Sequence, residues 1–220
     1  MFKGMLLDLD GTLADTLESL AVSCNRGLEQ CGLPTQPVEA FKQFAGDGPP
    51  TLVRKAITAA GDTEGKYYDI VMKAYQETLK DYNAFPLKTF DGMKEALIQI
   101  KNAGGLLGVI TNKPQDRAKE VVDTLFGKDF FDIVIGFSEN FPRKPDPSST
   151  KYAMEHLQIS PKECIYVGDT DVDMKTGKGA GAYTVGVLWG FRDRTELETH
   201  GADRIISHPS ELVEIWKNIK

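Results

Sequence analysis

Beyond residue 91 the chain alternates between short apolar runs rich in β-branched residues and longer stretches whose apolar positions recur at helical spacing. "DGMKEALIQIKNAG" is followed by "LLGVIT", "PQDRAKEVVDTLFG" by "FDIVIG", "DPSSTKYAMEHLQI" by "ECIYVGD", and "DVDMKTGKGAG" by "AYTVGV". This spacing predicts βαβ units and a parallel sheet covered by helices on both faces. "ADRIIS" predicts a last strand and "PSELVEIWKNIK" a closing helix. The expected fold class is α/β, a doubly wound parallel sheet.

One strand stands apart from the others. "MLLDLDGT" at 5–12 reads as the end of a strand over 3–9 that turns at Gly11. Residues 15–83 then carry helical patterns alone: Leu17, Leu20, Ala21, Cys24, Leu28 and Cys31 recur at helical spacing before Gly32 supplies a stop. The expected organisation is a core of residues 1–14 and 84–220, with an α-helical cap of residues 15–83 inserted after the first strand. In open parallel sheets ligands bind beyond the carboxyl ends of the strands.

Composition narrows the partners. A net charge of −6 with no long basic run argues against nucleic acid, and 41% hydrophobic content is enough for a real core in 220 residues. No stretch approaches the roughly 20 apolar residues of a membrane span, and acids interrupt the first apolar run within a few residues of Met5. Cys24 and Cys31, seven apart in one helix, would lie about 10 Å from each other along its axis, too far to bridge. The reading is a reduced, cytoplasmic protein with no metal-thiolate site.

Polar residues cluster at the predicted strand ends. In a strand, side chains two apart share a face, so Asp8 and Asp10 would project together. Two charges roughly 4 Å apart repel by about 4 kcal/mol at an effective dielectric of about 20, so the pair asks for a cation, a shared proton or a bend that separates the two roles. The second strand ends in Thr111 and Asn112 ("VITNKP"), the fourth in "YVGDTDVD" with Gly168, Asp169 and Asp173, and Lys144 sits in "RKPDP" ahead of the helix that precedes the fourth strand. Each has an ordinary reading as a turn, cap or solvated loop residue. Together, in this order at one sheet edge, they describe a site.

With those pieces in place, the chain resembles the haloacid dehalogenase superfamily phosphatases, whose motifs correspond here to "DLDGT" at 8–12, Thr111, Lys144 and "GDTDVD" at 168–173. The helical insertion resembles that family's cap, and "FAGDGPPTLVRKAI" and "GVLWGF" resemble its phosphoglycolate phosphatase group. The resemblance implies a Rossmann-like core and a Mg²⁺-dependent hydrolysis of a small phosphomonoester, 2-phosphoglycolate foremost, through an aspartyl-phosphate. It implies Asp8 as nucleophile, Asp10 as general acid and then base, Thr111 and Asn112 as groups for the phosphoryl oxygens, and Lys144 as the neutralising cation. Mg²⁺ would be met by Asp8, the backbone carbonyl of Asp10 and Asp169, with Asp173 favoured over Asp171 as the residue orienting a metal-bound water.

Gly46 and Gly48 in "FAGDGPP" would form a substrate-facing loop ahead of a helix started by Pro49. Asp10 counts against the family's carbon–halogen cleavage. A pyrophosphatase, a sugar-phosphate phosphatase or a phosphomutase of the same fold is the alternative. A phospho-accepting signalling module shares the acid pair, Thr and Lys, but is nearer half this length and has no helical insertion.

Overall fold

The computed structural model describes residues 1–80 and 87–218; the expected boundary at 83 and 84 lies outside the described residues. β1 (Gly4–Leu7) opens the chain. It is followed by α1 (Leu17–Gln30), a 3-10 turn at Val38–Ala40, α2 (Phe41–Phe44), α3 (Pro49–Ala59) and α4 (Tyr68–Thr78). The alternation then begins with α5 (Met93–Asn102), β2 (Leu106–Pro114), α6 (Gln115–Phe126), β3 (Ile133–Phe137) and α7 (Ser148–His156). It closes with β4 (Cys164–Gly168), α8 (Asp171–Ala180), β5 (Tyr183–Val187), α9 (Arg194–Thr199), β6 (Arg204–Ile206) and α10 (Ser210–Asn218). No helix among the described residues is long and apolar enough to cross a membrane.

Two compact units result, Met1–Asp15 with Lys88–Lys220, and Thr16–Leu87. In the first, all six strands pair in parallel in the order β3-β2-β1-β4-β5-β6. β1 is short but central, pairing with β2 through Gly4↔Leu106 to Leu7↔Val109 and with β4 through Gly4↔Cys164 to Leu7↔Val167. Successive side chains of a strand point to opposite faces, and Met5, Leu6 and Leu7 are all fully buried, so both faces of the sheet are covered. Leu6 joins Ile110, Met154, Ile159 and Tyr166 in one core cluster against α7 and α8. Removing each such side chain from water contributes roughly 1.5–3 kcal/mol.

The exit from this unit and the return to it lie side by side. Ala14 pairs with Thr89 in an isolated antiparallel bridge, and the Asp15 N–H donates to the Lys88 carbonyl at 2.9 Å.

The helical unit has its own core. Leu20, Cys24 and Leu28 of α1, Phe41 of α2, Val53 and Ile57 of α3 and Val71 of α4 are buried, and α1 packs along α4. Cys24 and Cys31 are free thiols, and burial pushes the Cys24 thiol up to about 12. Gly48 precedes α3 at φ 88°, where a side chain would be strained, and Pro49 takes the first helical position, where its missing N–H has no intrahelical partner to lose.

Candidate active site

The first acidic pair is not in a strand at all. β1 ends at Leu7, and although the Asp8 N–H still donates to the Val167 carbonyl at 2.9 Å, the chain then coils, with the Gly11 N–H bonded to Ala14 and the Ala14 N–H to Leu9. Strand alternation therefore does not govern Asp8 and Asp10, and their carboxylates find different partners. The bend requires Gly11: its φ is +86°, and a Cβ there would stand 2.3 Å from Asp169 Oδ2.

Asp8 enters a buried cluster in which oxygens of Asp8, Asp169 and Asp173 lie within 4.8 Å of one another. The Lys144 ammonium stands between two of them, 2.8 Å from Asp8 Oδ1 and 2.7 Å from Asp173 Oδ1, and also donates to the Ile110 carbonyl at 3.1 Å. Burial, reinforced by the Asp173 charge and only partly offset by Lys144, pushes Asp8 up to about 7. Burial and the charges of Asp173 and Asp8 raise Asp169 in the same way. Burial alone would lower Lys144, but the two carboxylates outweigh it and hold the ammonium well above its ordinary value.

Local structure fixes each acid. Thr170 caps α8, and Asp173, three residues on, closes a capping box: Asp173 Oδ2 accepts from the Thr170 N–H at 3.1 Å and from Thr170 Oγ1 at 2.6 Å. A Cβ on Gly168 would come within 2.2 Å of the Asp173 Cβ, so the strand end meets the helix only through glycine. Asp169 accepts from Thr12 Oγ1 at 2.8 Å on one oxygen and from the Phe191 N–H at 2.9 Å on the other. The indole of Trp189 in turn donates to the Thr12 carbonyl at 3.0 Å.

Thr111 is buried, its Oγ1 accepting from the Lys113 N–H at 3.2 Å. The Asn112 amide holds the Lys144 backbone from both ends, accepting from its N–H at 2.9 Å and donating to its carbonyl at 3.1 Å. Asp10 receives Lys113 Nζ on both oxygens, at 2.9 and 3.0 Å. Asp171 pairs with Lys175 at 2.6 Å on the outer side of α8. Gly46 and Gly48 belong to the helical unit, both at positive φ.

Asp8 and Asp169, both buried and both with raised proton affinity, mark a site short of positive charge. Asp8 Oδ1 moreover meets the Lys144 ammonium at 2.8 Å and has no further hydrogen-bond donor among the described residues. An all-oxygen set of this kind suits a hard divalent cation such as Mg²⁺. Each Asp169 oxygen receives a single donor and keeps acceptor capacity for such a cation, whereas Asp173 Oδ1 already meets Lys144 and Tyr166 and Oδ2 receives two donors from Thr170.

Sequence reasoning had no signal for several of these contacts. Thr12 reaches Asp169 from 157 residues upstream and Phe191 from the loop after β5, Trp189 of that loop reaches the Thr12 carbonyl, and Lys113 meets Asp10 across 103 residues. Tyr166, fully buried in β4, brings its hydroxyl 3.4 Å from Asp173 Oδ1.

A parallel sheet with acids, a lysine and a threonine at its carboxyl edge matches the haloacid dehalogenase-like hydrolase family over residues 5–187, and the chain belongs to that family. Within it the chain is a phosphomonoester hydrolase. It is similar to a protein named phosphoglycolate phosphatase from Aquifex aeolicus (strain VF5), 30% identical over 214 residues, covering 97% of this chain and 96% of that one. A protein of the same name from Neisseria meningitidis serogroup A is 30% identical over 220 residues, covering 99% and 94%. The crystal structure of a predicted phosphoglycolate phosphatase from Haemophilus somnus 129pt superposes with a TM-score of 0.89 at 24% identity, covering 97% of each chain, a likeness of fold.

Proposed function

We propose that the protein is a Mg²⁺-dependent phosphatase that hydrolyses a small phosphomonoester, 2-phosphoglycolate foremost, through a phosphorylated Asp8. The observation that carries the reaction is the setting of Asp8: a buried carboxylate at the end of the central strand, with one ammonium at 2.8 Å and a second acid, Asp10, two residues away on a separate partner. The substrate rests on the two relatives named phosphoglycolate phosphatase, similar along nearly the whole chain.

In the first step a carboxylate oxygen of Asp8 attacks phosphorus, the bond from phosphorus to the ester oxygen breaks, and Asp10 gives the departing alkoxide a proton. In the second, Asp10 takes a proton from water as the water oxygen attacks the same phosphorus, which frees phosphate and restores the Asp8 carboxylate. Lys144 offsets negative charge on Asp8 and the transferring group throughout, and the Thr111 hydroxyl donates to a phosphoryl oxygen. Asn112 serves by holding Lys144 in place. Asp8, the Asp10 carbonyl and Asp169 would hold Mg²⁺, which when bound supplies charge stabilisation for the phosphoryl oxygens. The helical unit supplies selectivity, with the loop of Gly46 and Gly48 as its substrate-reading element.

The test is turnover with Mg²⁺ over a panel of 2-phosphoglycolate, hexose phosphates, pyrophosphate and an aryl phosphate. The expected outcome is 2-phosphoglycolate at or near the top. A hexose phosphate or pyrophosphate ahead of it by tenfold or more overturns the substrate and leaves the phosphatase; no turnover of any phosphoester overturns both.

A further inference from the structure

Lys113 is drawn into the site by neither the carboxylate cluster nor the phosphate chemistry, yet it makes the closest contact to Asp10. Its ammonium lies almost equidistant from the two carboxylate oxygens, at 2.9 and 3.0 Å, and the two side chains are only 9% and 20% exposed. We propose that Lys113 is the positioning residue of Asp10, holding the carboxylate at the angle from which a proton reaches the leaving oxygen. The proposal rests on the phosphatase reading above.

An aspartate carboxyl turns about its terminal bond in a broad, two-fold well, so a fixed backbone alone does not aim it. Here the Asp10 backbone is fixed by its bridge to Ala14, which leaves the side-chain torsions as the remaining freedom. A cation shared by both oxygens removes that freedom. Proton transfer in a transition state needs the donor within hydrogen-bond reach of the receiving atom, and a displacement of about 1 Å is enough to cost 10²-fold in rate.

The pair is not needed to align β1 with β2. β1 and β2 are already in register through four parallel pairs, Gly4↔Leu106 to Leu7↔Val109, all on the far side of the residues in question. A lysine kept at the end of β2 and turned onto Asp10 therefore acts on the side chain it touches more than on the sheet.

The experiment compares wild type with Lys113→Met, Lys113→Arg and Asp10→Asn on three substrates: 2-phosphoglycolate, ethyl phosphate and p-nitrophenyl phosphate. The first two expel an alkoxide that needs a proton; the third expels a stabilised phenolate that does not. The value of kcat/KM covers the steps up to loss of the leaving group, so hydrolysis of the phosphoenzyme, common to all three, drops out. Lys113→Met should lower kcat/KM for both alkyl esters by about 10²-fold, the lower end of general-acid effects, and for the aryl ester by less than about threefold. Asp10→Asn should give the same pattern with a larger alkyl loss, and Lys113→Arg should recover part of it, because the guanidinium fork also meets both oxygens.

Equal loss on all three substrates makes Lys113 structural and overturns the proposal. Loss on 2-phosphoglycolate alone makes it a reader of the substrate carboxylate, which also overturns it, as does wild-type behaviour of Lys113→Met. If that variant fails to fold by thermal melting, Lys113→Gln takes its place with the same expected pattern. A wild type inactive on every ester overturns the phosphatase reading, a result separate from any of these.

Discussion

Lys144 and Asp173 form an ion pair of 2.7 Å with side chains 2% and 0% exposed, and the same ammonium stands 2.8 Å from Asp8. One cation thus separates two buried carboxylates. Lys144→Met should leave both acids uncompensated, and removing one partner of a buried pair costs on the order of 3–5 kcal/mol. The expected result is a urea midpoint well below wild type, together with loss of turnover. An unfolding free energy within about 0.5 kcal/mol of wild type would show that the acids relax without their cation.

The raised proton affinity of Asp8 gives the metal-free protein a pH signature. Its folded value of about 7 lies above the ordinary 3.8, so between roughly pH 4 and 7 the folded chain keeps a proton that the unfolded chain has lost. The contribution is therefore full below the ordinary value and is lost as pH rises through about 7. Denaturation in chelator should record stability falling across that window, and Asp8→Asn should flatten the fall while abolishing turnover by several orders of magnitude. Asp8→Asn activity within about tenfold of wild type removes Asp8 from the covalent step.

Thr12 Oγ1 donates to Asp169 at 2.8 Å, which aims that carboxylate. Thr12→Val keeps the shape and removes the donor. Losing a group that orients a metal ligand typically costs about 10–100-fold in affinity, and a calorimetric Mg²⁺ titration should find a loss of that size. Chelation should abolish wild-type activity and Mg²⁺ restore it. Ca²⁺ should restore it poorly, since it accepts more ligands and can engage both oxygens of Asp8.

Gly48 at φ 88° and Gly46 at φ 117° hold backbone conformations that a side chain adopts only under strain. Replacing both with bulky residues should lower kcat/KM for 2-phosphoglycolate more than for an aryl phosphate. Equal losses would mark the loop as a scaffold for α3 and nothing more.

The sheet was legible because its signal is local: each of "LLGVIT", "FDIVIG" and "ECIYVGD" carries its own period and its own bounding turn, and each became a strand within one to three residues of the expected ends. α9 was not, since six residues with one buried side chain, Leu197, carry no period, and its start depends on Asp193 accepting from the Glu196 N–H. The acids that gather at Asp8 were likewise visible as motifs, while the pairing of Asp10 with Lys113 was not, because nothing in "VITNKP" tells which way a lysine turns. The strand expected over 3–9 stops at Leu7 for a reason also invisible in the local pattern: Gly11 and Ala14 recapture the backbone before Asp10 can extend it.

The bridge between Ala14 and Thr89 has a meaning for descent. Closing a loop costs free energy that grows only with the logarithm of its length, and here both ends are already clasped on the sheet side. Whatever lies between those two residues can be lengthened, rebuilt or exchanged with small effect on the strands that carry Asp8. Lineages sharing this sheet are therefore free to try new appetites while inheriting the same chemistry unaltered.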